Sequence, residues 1–367
     1  MDQFERLNQL PLRDDLRGLR PYGAPQLDVP ILLNVNENTF GVPLDAKEAI
    51  LKAVADELDG LNRYPDREFT ELRRALAAYL GHGLNEDNMW AANGSNEVLQ
   101  QLLQAFGGPG RSLMSFPPTY SMYPLLASGT GTGYIEGFRD EDYNLSAESA
   151  AEQVRSKSPN IVFLCSPNNP TGTALGLDIV EAVYEAGEAS RTIVIVDEAY
   201  AEFAHSGTRS ALLLLPNRPR LIVSRTMSKA FAMAGARVGY LAAAPEITDA
   251  VRLVRLPYHL SAITQATAVA ALRNSDALLA NVEAIKVQRD RIVNELIRMG
   301  LAPAPSDSNF VFFGGLEDPA GVWEALLAAG ILIRDVGIAG HLRVTAGTEA
   351  ETTAFLQALE AILDGVH

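Results

Sequence analysis

The chain has 367 residues, 47% of them hydrophobic and 20% charged, with a formal net charge of −15. That length exceeds what one hydrophobic core usually organises, so two domains are expected. The acid excess argues against nucleic acid or an anionic membrane surface as partner, yet leaves room for an anionic small substrate gripped by a local arginine cluster. With one cysteine, Cys165, no internal disulfide can form; the residue reads as a small buried hydrophobe on a strand. The histidines are scattered without metal-ligand spacing, so no metal site is expected. No basic start precedes an apolar core, and no apolar run reaches about 18 residues, which points to a cytoplasmic, soluble protein.

Residues 1–40 are rich in Arg, Pro and Gly and carry one short apolar run, Ile31-Leu32-Leu33. They read as an arm laid over something else. Ala49, Ile50, Ala53, Val54 and Leu58 recur near the helical period, so 45–59 is expected to be a helix. Asn62-Arg63-Tyr64-Pro65-Asp66 breaks it. A second helix carries Leu72, Leu76, Tyr79 and Leu80 on one face. Asn93-Gly94-Ser95-Asn96-Glu97 opens a third, through Phe106.

Beyond it the pattern alternates. Ile161–Cys165, Ile193–Val196 and Leu221–Ser224 read as strands, with helical sequence at 177–188 between the first two. Strands separated by helical stretches imply crossover units and a mostly parallel sheet. After Pro257, 261–300 reads as long helix. Strands at 309–313, 331–333 and 342–344 and helices at 319–329 and 349–364 then form a smaller α+β unit. The expected organisation is an arm (1–40), a large α/β domain (41–258) and a small domain (259–367).

The residues that carry chemistry fall just after strand ends, where open α/β sheets bind ligands. Lys229 follows the strand at 221–224, with Thr226 and Ser228 before it and Arg237 eight positions on. Hydroxyls and a guanidinium suit a phosphate, and Gly235 and Gly239 let backbone pass close to a ligand. A lysine beside a phosphate cradle suits pyridoxal 5′-phosphate, whose aldehyde forms a Schiff base with an amine. Gly94, Ser95 and Asn96 begin a helix, whose free N–H groups favour an anion; an ordinary serine N-cap would read the same. Asp197 either caps a helix or pairs with a protonated pyridine nitrogen.

Asn-Gly-Ser-Asn-Glu, Ser-Pro-Asn-Asn-Pro-Thr-Gly, Val-Asp-Glu-Ala-Tyr, Ser-Lys with Arg eight later, and Leu-Arg-Val follow one another along the chain. In that order they resemble class I/II aminotransferases, and especially histidinol-phosphate aminotransferases. The resemblance implies a fold type I, aspartate-aminotransferase-like homodimer with active sites at the subunit interface. It implies Lys229 as the catalytic lysine and pyridoxal phosphate as cofactor. Tyr200 and Asn169 would hydrogen-bond the ring's phenolic oxygen, and Tyr120 would stack on the ring. Tyr64 would cross from the partner chain to the phosphate, although before Pro65 it reads equally as a turn residue. Arg343 would hold the anionic end of the substrate and Tyr22, in the arm, would close over it. Arg334 supplies a second cation suited to a phosphate dianion, or simply pairs with Asp335. The implied substrates are histidinol phosphate and 2-oxoglutarate, in histidine biosynthesis. Rivals are an aromatic amino-acid aminotransferase, a pyridoxal-phosphate decarboxylase and a cofactor-binding regulatory domain. The sequence departs from the family at Thr39, where proline is usual; a looser arm is the expected result.

Overall fold

The computed structural model describes residues 9–18, 23 and 25–365. Tyr22 lies outside them. Twelve strands are named in chain order: β1 (Ile31–Leu32), β2 (Met89–Asn93), β3 (Ser112–Ser115), β4 (Gly133–Glu136), β5 (Ile161–Cys165), β6 (Ile193–Asp197), β7 (Leu221–Thr226), β8 (Val238–Ala243), β9 (Ala302–Pro303), β10 (Phe310–Gly314), β11 (Ile331–Leu332) and β12 (Leu342–Thr345).

β5, β6 and β7 are unbroken apolar runs for most of their length, the pattern of strands covered on both faces. Every residue of β5 is buried. These strands form the middle of a seven-stranded sheet of order β2-β8-β7-β6-β5-β3-β4. β8 runs antiparallel to both neighbours, and the other pairings are parallel. The carboxyl ends of β2, β5, β6 and β7 therefore share one edge with the amino end of β8. β2, β3, β4 and β8 were not among the expected strands. Met-Trp-Ala-Ala-Asn and Ser-Leu-Met-Ser are short and lack β-branched residues, and the Ala-Ala end of β8 favours helix.

Helices cover the sheet. Leu44–Leu58, Thr70–Leu80 and Ser95–Phe106 fall close to their expected bounds. The long helix expected over 261–300 is instead three: Ala262–Arg273, Ser275–Leu279 and Val282–Arg298. Ser261 starts the first by accepting from Thr264 N–H, and Asn274, at φ −115°, ends it.

Two hydrophobic cores form. The first surrounds the large sheet and extends from Ala46 to Leu278. The second joins Leu33, Tyr200, Phe203 and Ala230 to residues between Val282 and Leu359. Ala268, Val269, Ala271 and Leu272 pack in the first core, so the cores part near residue 280 and not at the expected 258/259. The cause is the apolar face of Ala262–Arg273, which docks on Leu44–Leu58.

The second core lies on β10, antiparallel to β9 and β12. The arm is sewn into it: β1 pairs in parallel with β11, and Leu33 is 1% exposed. Among the described residues no helix is long and apolar enough to cross a membrane.

Candidate active site

The carboxyl edge of the large sheet opens into a cleft of about 690 Å³, closed on its other side by the arm and by β12. Lys229 follows β7 and lines it. Its Nζ donates to the Val35 carbonyl at 2.9 Å. Burial, and then the nearby Arg343, push the amine down to about 8. A lysine so placed is readily neutral, the state in which it attacks a carbonyl.

Asp197 ends β6 and is 3% exposed. Oδ2 accepts from the Tyr123 hydroxyl at 2.9 Å, while Oδ1 is buried without a hydrogen-bond partner. Burial pushes the carboxyl up to about 6, against the lowering effect of the Tyr123 bond. The helix-capping alternative fails, because the short helix that follows, Ala201–Phe203, has Tyr200 at its N-cap. A buried, unsatisfied carboxylate oxygen facing a cleft is costly unless a ligand donor meets it. A protonated ring nitrogen is such a donor.

The anion site is built at the start of Ser95–Phe106. Gly94, not Ser95, is its N-cap, at φ +86°, with no side-chain cap. The serine-cap alternative is therefore set aside, and the first N–H groups keep the polarity that attracts an anion. Arg237 Nη1 donates to the Ala234 carbonyl at 3.0 Å and lies 3.4 Å from Ser228 Oγ. Thr226 Oγ1 donates to Ser228 Oγ at 3.0 Å. Ser95, Asn96, Thr226, Ser228 and Arg237 thus converge on one end of the cleft. These residues offer an anion cradle and Asp197 a carboxylate, the two groups that the ends of pyridoxal phosphate need, and Lys229 lines the same cleft. Tyr120 lines the cleft, with its hydroxyl 3.3 Å from Asn96 Oδ1 and its ring edge-on to Tyr123.

Arg343, on β12, donates to Asn169 Oδ1 at 2.5 Å and to the Asn34 carbonyl at 2.7 Å. Asn169 Nδ2 faces the Tyr200 hydroxyl at 3.4 Å. Arg334 is joined to Arg343 by two backbone hydrogen bonds of 2.9 Å. Its side chain lines the cleft and has no hydrogen bond or ion pair among the described residues. Asp335 does not pair with it; its Oδ1 accepts from Gly337 N–H at 2.8 Å. The alternative of an Arg334–Asp335 ion pair is not realised.

Tyr64 stands apart. It is 80% exposed, stacks on Tyr258 with centroids 4.5 Å apart, and does not line the cleft of its own chain. Thr39 does not loosen the arm. Its hydroxyl donates to Glu351 at 2.5 Å, a bond that proline could not make.

The sequence reading missed Tyr123, Asn36 and Glu37. Tyr123 is three residues after Tyr120 but is fully buried and donates to Asp197 Oδ2. Asn36 is 1% exposed and holds the Tyr200 hydroxyl at 3.0 Å. Glu37 lines the cleft. A polar run, Asn36-Glu37-Asn38, with two residues between it and the apolar Leu32-Leu33, was the available signal.

The profile for aminotransferase class I and II matches residues 28–359. A histidinol-phosphate aminotransferase of Paenarthrobacter aurescens is 77% identical over 364 residues, covering 99% of this chain and 98% of that one. One from Corynebacterium glutamicum is 53% identical, over 97% of this chain and 98% of its own. Among solved structures, the histidinol-phosphate aminotransferase of Sinorhizobium meliloti in complex with pyridoxal-5′-phosphate superposes with a TM-score of 0.86 at 26% identity, over 97% of this chain and 98% of that one. An aspartate aminotransferase from Thermus thermophilus has the same fold, with a TM-score of 0.77 at 24% identity over 91% and 92% of the two chains. The chain belongs to the class I and II aminotransferases and, within them, to the histidinol-phosphate aminotransferase family.

Proposed function

We propose that the protein moves an amino group between histidinol phosphate and 2-oxoglutarate in the cytoplasm, with pyridoxal phosphate as cofactor. The cofactor, when bound, supplies an aldehyde for the amine and a ring that takes up electron density. Lys229 would hold that aldehyde, and its amine, once free, would be the group placed to move a proton at the substrate's amine-bearing carbon. Asp197 keeps the ring nitrogen protonated. Gly94, Ser95, Asn96, Thr226, Ser228 and Arg237 hold the phosphate. Tyr200 and Asn169 would serve the ring oxygen and Tyr120 the ring face.

The observation that carries the substrate is Arg334. Its guanidinium is uncommitted among the described residues and rides on the same backbone bridge as Arg343. Two guanidinium groups at one end of the cleft match a phosphate dianion better than a single carboxylate. The test is turnover with a panel of amine donors. Histidinol phosphate should exceed phenylalanine and tyrosine in kcat/KM. An aromatic amino acid equal to or better than histidinol phosphate would make the aromatic aminotransferase reading the right one.

The working form we infer is a homodimer. Leu58, Leu61, Tyr64, Leu253 and Leu256 are each at least half exposed. Joined into one patch, such side chains would favour a protein partner. A second copy would let Tyr64 reach the other chain's cofactor phosphate.

A further inference from the structure

The Tyr200 hydroxyl is met by two amides, each held from behind by a neighbouring side chain. Thr345 Oγ1 accepts from the Asn36 backbone N–H at 3.1 Å and donates its single hydrogen to Asn36 Oδ1, also at 3.1 Å. The other end of that amide, Nδ2, therefore faces Tyr200 as a donor at 3.0 Å. Asn169 Oδ1 is taken by Arg343 Nη1, and a guanidinium only donates. Asn169 Nδ2 is thus also turned toward Tyr200, at 3.4 Å. A phenol oxygen has two acceptor sites and one hydrogen. Both acceptor sites face N–H groups, and the hydrogen is left for the cleft. Burial holds the phenol in its protonated form.

Asn36 is built for this task. It is 1% exposed and sits at φ +57°, a backbone region that asparagine tolerates better than most residues. Its carbonyl accepts from Asn309 Nδ2 at 3.1 Å, so all four of its polar groups are used.

We propose that Asn36, braced by Thr345, is a positioning residue that fixes Tyr200 as a hydrogen-bond donor to the ring oxygen of bound pyridoxal phosphate. The inference rests on the reading of Tyr200 given above. Its consequence is a shift in proton affinity. When the cofactor joined to Lys229 keeps its proton, the ring oxygen already shares it. When that proton leaves, the oxygen's charge is bare, and a fixed donor helps most. Holding Tyr200 as a donor therefore lowers the pH at which the cofactor's visible band titrates.

The experiment is a pH titration of that band in the cofactor-loaded protein. The variants are Asn36→Gly, Asn36→Asp and Tyr200→Phe, and each Asn36 change combined with Tyr200→Phe. Glycine accepts the positive φ and keeps the backbone bonds to Thr345 and Asn309. Aspartate keeps the shape and presents an acceptor to Tyr200 in place of a donor. Tyr200→Phe should raise the midpoint. Asn36→Gly should raise it by about half to one pH unit, and should add nothing in the Tyr200→Phe background. An unmoved midpoint in Tyr200→Phe overturns the reading of Tyr200 and this inference with it. A moved midpoint there, with an unmoved one in Asn36→Gly, overturns this inference alone. So does a glycine shift of equal size with and without Tyr200. If the glycine variant does not fold, Asn36→Asp decides: its shift must be larger with Tyr200 than with phenylalanine, and equal shifts reject the proposal.

Discussion

Arg237 occupies the space that a side chain on Gly94 would need. A Cβ built on Gly94 would lie 2.3 Å from Arg237 Nη2, and the backbone there is at φ +86°. Gly94→Ala should therefore displace the guanidinium and strain the turn together. The dissociation constant for pyridoxal phosphate, read from the visible band, should rise about 10- to 100-fold. An alanine variant with unchanged affinity would mean that Arg237 does not grip the phosphate.

Lys229 carries a measurable pH signature even before the cofactor binds. Its amine titrates near about 8 when folded, against the ordinary lysine value of 10.5. Between those values the unfolded chain binds more protons than the folded one, so stability rises with pH across that window. Below it the buried charge costs the fold its full amount. Lys229→Met should raise the Tm of the cofactor-free protein by a few degrees at pH 7. The gain should shrink as pH climbs from about 8 toward 10.5. Thermal melts at several pH values check both points, and a gain that grows with pH would contradict them.

Tyr123 supports Asp197 through the hydrogen bond to Oδ2. Removing it in Tyr123→Phe should push the Asp197 carboxyl above its present value of about 6. Only the ionised carboxylate pairs with a ring cation. Cofactor affinity should thus fall by about tenfold at neutral pH, and further as pH drops. Binding titrations of parent and variant at pH 6 and pH 8 separate this from a uniform loss.

Arg334 and Arg343 are predicted to differ in what they select. Arg334→Gln should lower kcat/KM for histidinol phosphate by roughly 10- to 150-fold, the value of one charge-assisted contact. It should lower the value for phenylalanine much less. Arg343→Gln should injure both donors. Equal losses from Arg334→Gln would leave the substrate assignment without its main support.

Tyr64 is tested by subunit exchange. Lys229→Ala alone should be inactive and Tyr64→Phe alone weakened. A mixed pair would have one site with both lesions and one with neither. Activity should rise on mixing, and no rise after proven exchange would count against a shared site.

The lysine and aspartate positions were readable because each lies at or just after the end of a strand that opens with a continuous apolar run. Leu221-Ile222-Val223 locates Lys229, and Ile193–Val196 locates Asp197. Asn36 and Tyr123 were not readable for a physical reason. Each acts through one hydrogen bond to a residue far along the chain, Tyr200 and Asp197, and no local period records such a bond. The break in the expected helix at 261–300 was hidden likewise. Asn274 and Asn281 stand at the starts of Ser275–Leu279 and Val282–Arg298 without side-chain caps, amid residues that favour helix, and only packing decides where each helix ends.

β8 runs against its neighbours, and this joins two tasks in one stretch of chain. β7 ends at the cleft and β8 begins there, so the connection 227–237 leaves and returns at the same edge. It carries Lys229 near its start and Arg237 at its end. The proposed anchors of the Schiff base and of the phosphate are therefore cantilevered from a single loop. An insertion or a proteolytic cut within it would loosen both ends of the cofactor at once, whereas a cut elsewhere along that edge would spare one of them.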